Sequence, residues 1–400
     1  MTTETTPAVP TLAELLDRID ETRPILERNA VQTEVDRRVA QENIDALAAA
    51  GAFRVFVPRR LGGYEMTVHE KLEVTSAIAE SCGSTAWVVA LINVCDWMAG
   101  VLPDQAQQDI FGANPDARVA GVLNPSADVR RVDGGYVVSG KWPWASGSWH
   151  ADWALVGIMV PNEAGEMIDQ ALAFLPMSEL SIEETWFVAG MKGTGSNTIV
   201  ADEVFVPDHR LYSVPKAIDN EYATEHSEET LYRSSFIPLL TLVLAGPQLG
   251  LGRAALRYVM EKAPKRGITY TKFDHQVDST AFQLQIAEAA TLIDTAHLHA
   301  YRAADDIDEF AARGEKMPYL RRARVRQDTA YAITKVRHAI DALISAHGAS
   351  SFADVSPLQR IWRDSNTAAR HAVADPLVNQ EVYGKALLGI PYEENITPLI

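Results

Sequence analysis

Basic residues are scarce in this 400-residue chain: 36 Lys and Arg stand against 53 Asp and Glu, for a formal net charge of -17. Binding nucleic acid needs clustered cations to displace phosphate counterions, and no such cluster occurs, so the balance excludes a nucleic-acid partner and favours solubility. Cysteine is rarer still. Cys82 and Cys95 are spaced unlike a zinc pair and have no neighbouring His, which argues against a metal site. Two thiols without a secretion signal point to a reducing cytoplasm. Long apolar runs are also lacking: the longest, residues 237–251, contains Pro238 and Pro247, is too short for a bilayer, and reads as a buried helix and turn. The first ten residues show no apolar periodicity and no signal-peptide core, and no internal repeat appears.

Tryptophan, by contrast, is concentrated. Residues 141–153, KWPWASGSWHADW, hold Trp142, Trp144, Trp149 and Trp153, four of the chain's eight. Indoles supply apolar walls, and Ser146, Gly147 and Ser148 let a short donor and the backbone come close to a flat ligand. The stretch therefore reads either as a pocket for something planar or as an aromatic-rich strand and turn at an interface.

Hydrophobic periodicity divides the chain into three. Residues 11–115 read as an N-terminal helical domain: Leu12, Leu15, Leu16 and Ile19 recur at helical spacing, and Thr11 with Glu14 makes a capping box. Residues 34–50 read as a second helix, and 84–98 as a buried one. Residues 116–210 change to short β-branched runs and read as an antiparallel β-domain, with a hairpin at Asp133-Gly134. An acidic, irregular connector follows, and residues 230–400 read as a helical bundle. The fold class is thus α+β, mostly α.

Two further motifs stand out. GMKGTGSN, residues 190–197, is no dinucleotide fingerprint, because a strand follows it where a helix is required. It reads as a β-domain loop, either structural or bringing backbone and the Thr194 and Ser196 hydroxyls to a ligand. In RIWRDSNTAARHAVADP, Asp364 and His371 would share one face of a helix two turns apart. A carboxylate near an imidazole suits proton removal from a weak acid, though a helical His is often structural.

Helices, a β-domain and a helical bundle in this order, with PRRLGGYEM, GKWPWASG, GMKGTGSNTIVADEVFVP and LQRIWRDSNTAARH, resemble the acyl-CoA dehydrogenase fold over nearly the whole chain. Within it, the details look most like the oxygenase components of two-component flavin-dependent monooxygenases such as 4-hydroxyphenylacetate hydroxylase. The resemblance implies reduced flavin (FADH2 or FMNH2) delivered by a separate NAD(P)H-flavin reductase, O2 as co-substrate, a C4a-hydroperoxyflavin, hydroxylation of a phenol- or indole-type small molecule, and a homotetramer. It implies Ser146 beside the flavin N5, His371 as the base, and Trp142, Thr194 and Ser196 along the isoalloxazine. Arg233 would lie near the flavin N1, and Trp87 near the flavin or substrate. Cys95 stands where relatives carry a substrate-binding His, and Val373 where a polar group is usual. A true acyl-CoA dehydrogenase would need a carboxylate base, for which Glu381 is the candidate. An amino-sugar N-oxygenase and a non-catalytic scaffold are the other readings.

Overall fold

The computed structural model describes residues 9–400, so the expectation for the first ten residues falls mostly outside it. The chain opens with α1 (Leu12–Val35), started by the capping box in which Thr11 and Glu14 satisfy each other's backbone amides. Continuous helix through residues 34–50 does not form. Arg37 takes φ 50°, breaking the chain before α2 (Gln41–Ala50). Next come α3 (Val68–Ala79), α4 (Gly83–Gly100) and α5 (Asp104–Phe111). The first turn of α3 is capped from afar: the Asp308 carboxylate accepts the amides of Val68 and His69 at 2.9 and 3.1 Å.

Eight strands follow: β1 (Val119–Val122), β2 (Ala127–Val132), β3 (Gly135–Ala145), β4 (Trp153–Pro161), β5 (Met167–Pro176), β6 (Ser181–Glu183), β7 (Asn197–Pro207) and β8 (Leu211–Ser213). They form two sheets, ordered β1-β4-β5-β8 and β2-β3-β7-β6. All neighbours pair antiparallel except β1 with β4. The β2–β3 hairpin turns at Asp133-Gly134, where Gly134 supplies φ 73°. Val138, Trp142, Val156, Ala173, Ile199 and Val206 fill a core shared by the two sheets.

The connector is more ordered than its composition suggests, since β8 is followed at once by α6 (Val214–Ile218). The remaining helices are α7 (Phe236–Leu242), α8 (Ala245–Lys262), α9 (Thr280–Arg313), α10 (Tyr319–His347), α11 (Pro357–Ala368) and α12 (Pro376–Leu387). The apolar run of residues 237–251 lies in α7 and α8, where nearly every side chain is buried. Helices from both ends of the chain share one core: Leu72, Val94 and Trp97 pack in the same cluster as Leu249, Ile293 and Val336. The buried α4 thus lies between the sheets and the C-terminal helices, positioned to present residues to both.

Candidate active site

The site forms where β3, the loop before β7, α4 and the end of α11 meet. β3 loses its register with β7 between Trp142 and Ala145. The bulge turns the chain outward, and Trp144 is held at φ 69° with 66% of its surface exposed. A bulky residue in the left-handed region is strained, and such outliers gather at functional sites. Ala145 and Ser146 then turn back inward and are buried.

The 190–196 loop meets this bulge. Gly193 touches α1 so closely that a Cβ would lie 2.2 Å from Thr33 Cγ2, and one on Gly190 would lie 2.1 Å from the Arg363 carbonyl. Only glycine permits both approaches. The Gly147 amide donates to the Thr194 carbonyl at 3.0 Å, joining the two loops. Side chains complete the junction: Ser146 and Ser196 Oγ are 2.7 Å apart, and Ser196 Oγ and Thr194 Oγ1 are 2.6 Å apart. All three are nearly inaccessible to solvent. From α4, Trp87 donates its indole N–H to Ser146 Oγ at 3.2 Å.

His371 reaches the same place from the other side, its ring 5.9 Å from that of Trp87 and tilted by 55°. The imidazole is exposed to solvent, yet protein crowds it enough that desolvation lowers its pKa below the usual histidine value. His371 is thus crowded by protein and still open to solvent. Leu91 is the one residue of α4 that is not buried, which leaves that helix open at one point. It lies one turn beyond Trp87 and one turn before Cys95. Gly121, the one unburied residue of β1, adjoins Cys95: a Cβ there would lie 2.7 Å from its sulfur. Cys95 itself is buried, and desolvation pushes its thiol pKa up.

Three placements differ from the sequence expectation. Trp142 does not join the hydroxyls: it is fully buried between the sheets and donates its indole N–H to the Gly157 carbonyl at 2.9 Å. It precedes the bulge on the inward face of β3, whereas Trp144, at the bulge, is exposed. Asp364 and His371 do not share a helix face, because α11 ends at Ala368 and His371 lies in the turn beyond it. The following Pro376 disfavours helix at Asp375, so α12 must start afresh. Among the described residues, no hydrogen bond joins Asp364 to His371. The Asp364 carboxylate instead accepts the Met191 amide at 2.5 Å, and burial raises its pKa to about 6. Neighbouring Arg363 donates to the Ala189 carbonyl at 2.5 Å, so α11 holds the glycine loop at two points. Arg233 makes no hydrogen bond to the three hydroxyls among the described residues, and its Nε donates to the Ser227 carbonyl at 2.5 Å.

The structure therefore brings together Trp87, Ser146, Thr194, Ser196 and His371, with Cys95 one turn past the opening at Leu91. The Met191 amide and carbonyl were missed by sequence reasoning, since backbone groups carry no residue-type signal. Glu381 is half-exposed on α12, 3.9 Å from Lys385, which leaves a dehydrogenase reading without its carboxylate in the site. Among the described residues no group of three or more His, Cys, Asp or Glu is placed to hold a metal.

Comparison with known proteins gives this arrangement a family. Residues 242–376 match the family model "Acyl-CoA dehydrogenase, C-terminal domain". The oxygenase subunit HsaA of a flavin-dependent monooxygenase from Rhodococcus jostii is 33% identical over 95% of this chain and 100% of its own. The chain belongs to the oxygenase subunits of flavin-dependent monooxygenases. Within this family, the oxygenase component of an FADH(2)-dependent resorcinol hydroxylase from a Rhizobium strain is 30% identical, covering 94% of each chain. The structure of XiaF from a Streptomyces strain, in complex with FADH2 and glycerol, superposes with a TM-score of 0.90 at 34% identity, covering 95% of this chain and 96% of that one. These oxygenases share the acyl-CoA dehydrogenase-like architecture described above, and the chain is a flavin-dependent enzyme.

Proposed function

We propose that this oxygenase receives reduced flavin from a separate NAD(P)H-dependent reductase and uses O2 to hydroxylate a phenol- or indole-type ring, with His371 as the base. The convergence of Ser146 and His371 on Trp87 carries this reading. The relative acting on resorcinol supports a phenol, and that relative is the oxygenase component of its hydroxylase, which supports a partner reductase.

The donor set suits a flat heteroaromatic group: an indole, three linked hydroxyls, and a loop kept slim by Gly193. Ser146, Thr194 and Ser196, with the 191–196 backbone, would hold the flavin, Ser146 bonding to its N5 edge. When bound, the reduced flavin would supply the two electrons that let O2 give one oxygen atom to the ring and the other to water. The protein's own groups do the rest. Burial of the hydroxyls and of Trp87 keeps bulk water from the reacting face. His371, held neutral at pH 7, has its lone pair free to take the proton of a ring hydroxyl, which makes the ring a better nucleophile. Trp87 touches both sides, fixing Ser146 through its N–H and bordering His371 with its ring. The ring substrate would lie along Trp87, Leu91 and Cys95, where α4 opens. Asp364 acts at one remove, holding Met191 and with it the loop.

We also assign the enzyme to the cytoplasm and to a homotetramer. Exposed Leu284 and Leu298 on α9, and Leu377 and Leu387 on α12, offer apolar surface for subunits to cover. A reaction with NADH, a flavin reductase, 18O2 and a panel of phenols and indoles tests the proposal. One 18O atom should enter the product; oxidation of NADH with no ring labelled in any substrate would overturn it.

A further inference from the structure

Five groups at the site form an unbroken line of hydrogen bonds whose two ends are chemically one-way. The indole N–H of Trp87 can only donate and the Met191 carbonyl can only accept. Between them, Trp87 donates to Ser146 Oγ at 3.2 Å, Ser146 and Ser196 are 2.7 Å apart, and Ser196 and Thr194 are 2.6 Å apart. Thr194 Oγ1 donates to the Met191 carbonyl at 2.9 Å. That carbonyl is itself pinned, accepting the Trp186 indole N–H at 2.9 Å.

Three hydroxyls bring three protons to the three links beyond Trp87. All links are made together only if every proton points toward Met191. Reversing the line would leave Thr194 Oγ1 and the Met191 oxygen 2.9 Å apart with no proton between them. In the favoured direction, Ser146 gives its proton to Ser196 and accepts one from Trp87, so its remaining capacity is a lone pair.

We infer that Thr194 and Ser196 set the direction of this line so that Ser146 is an acceptor, and that this selects reduced over oxidised flavin. Reduced flavin carries a proton on N5 and can donate to Ser146. Oxidised flavin presents a lone pair at N5, so Ser146 must turn its proton around, and one of the three links beyond Trp87 is left without a proton. This inference rests on the proposed placement of the flavin against Ser146. In setting this direction Thr194 and Ser196 act through Ser146 as positioning residues; a contact they also make with the ring away from N5 is common to both redox forms and cancels in the ratio of affinities. Losing one neutral hydrogen bond corresponds to a preference of about fivefold.

The test is anaerobic titration of the enzyme with reduced and with oxidised FMN and FAD, taking the ratio of the two dissociation constants. Wild type should favour the reduced form. Thr194→Val, which removes the last donor at nearly constant volume, should lower the ratio about fivefold, and Thr194→Ser should keep the wild-type ratio. Ser196→Ala, which cuts the line in its middle, should lower the ratio as Thr194→Val does. A ratio unchanged in Thr194→Val and Ser196→Ala, with reduced flavin still bound, would overturn the inference. So would a Thr194→Ser enzyme as altered as Thr194→Val. Failure of wild type to bind either flavin would instead overturn the proposed site.

Discussion

Asp364→Asn removes a buried charge while keeping an acceptor for the Met191 amide, and its effect should depend on pH. Burial is the largest influence on this carboxyl, raising its pKa from 3.8 to about 6 against the opposing hydrogen bond from Met191. A group whose folded pKa is raised contributes stability that is full below its unfolded pKa and is lost as pH rises through the folded one. At pH 8 the wild type thus carries a penalty of about 3 kcal/mol from this one ionised group, falling to about half at pH 5. Asparagine resembles the protonated acid in shape and hydrogen bonding and carries no such penalty. The variant should be more stable than wild type by these amounts. For a chain of this length that corresponds to a melting temperature about 3–4 °C higher at pH 8 and about 2 °C higher at pH 5. Thermal unfolding followed by circular dichroism at the two pH values measures both gaps. A variant less stable than wild type at pH 8, or a gap that does not shrink on acidification, would refute the reasoning.

Other perturbations separate the roles of the remaining residues. His371→Ala should bind reduced flavin as wild type does but lose most ring hydroxylation, on the order of 100-fold or more, as measured in single turnovers. Because desolvation lowers the pKa of His371, the wild-type hydroxylation rate should persist to below pH 6.5 and fall only on further acidification; a decline that begins above that pH would count against the base role. Ser146→Ala should divert turnover from hydroxylated product to hydrogen peroxide, and a product-to-NADH ratio equal to wild type would remove Ser146 from the chemistry. Asp308→Ala leaves two amides of α3 without their cap and should cost about 1–2 kcal/mol in urea unfolding at pH 4, where the buried Asp308 carboxyl, its pKa raised to about 6, is protonated and carries little ionisation penalty.

Features set by local chemistry could be read from the sequence. The Thr11–Glu14 capping box and the Asp133-Gly134 hairpin depend on residues a few positions apart, and both formed. The hydroxyls of Ser146, Thr194 and Ser196 stood out beside their glycines as either ligand-facing or structural, and the structure joins them to one another. Trp142 and Trp144 could not be told apart. Simple alternation puts both on one face of β3, and the bulge that separates them arises from pairing with β7, more than fifty residues away. The same limit hid the partner of Asp364. A helical wheel offers His371, but the wheel fails where α11 stops, and the carboxylate turns to an amide 173 positions earlier in the chain. Arg233 was placed by resemblance across a connector whose ordered turns, β8 and α6, the composition does not announce.

The most direct measurement is stopped-flow absorbance of the enzyme, loaded anaerobically with reduced flavin, on mixing with O2 in the absence of a ring substrate. A site that excludes water and holds the flavin against Ser146 predicts that the spectrum of oxidised flavin returns in a separate phase, much slower than for flavin free in solution. Immediate return of that spectrum, at the rate of free flavin, would contradict the account.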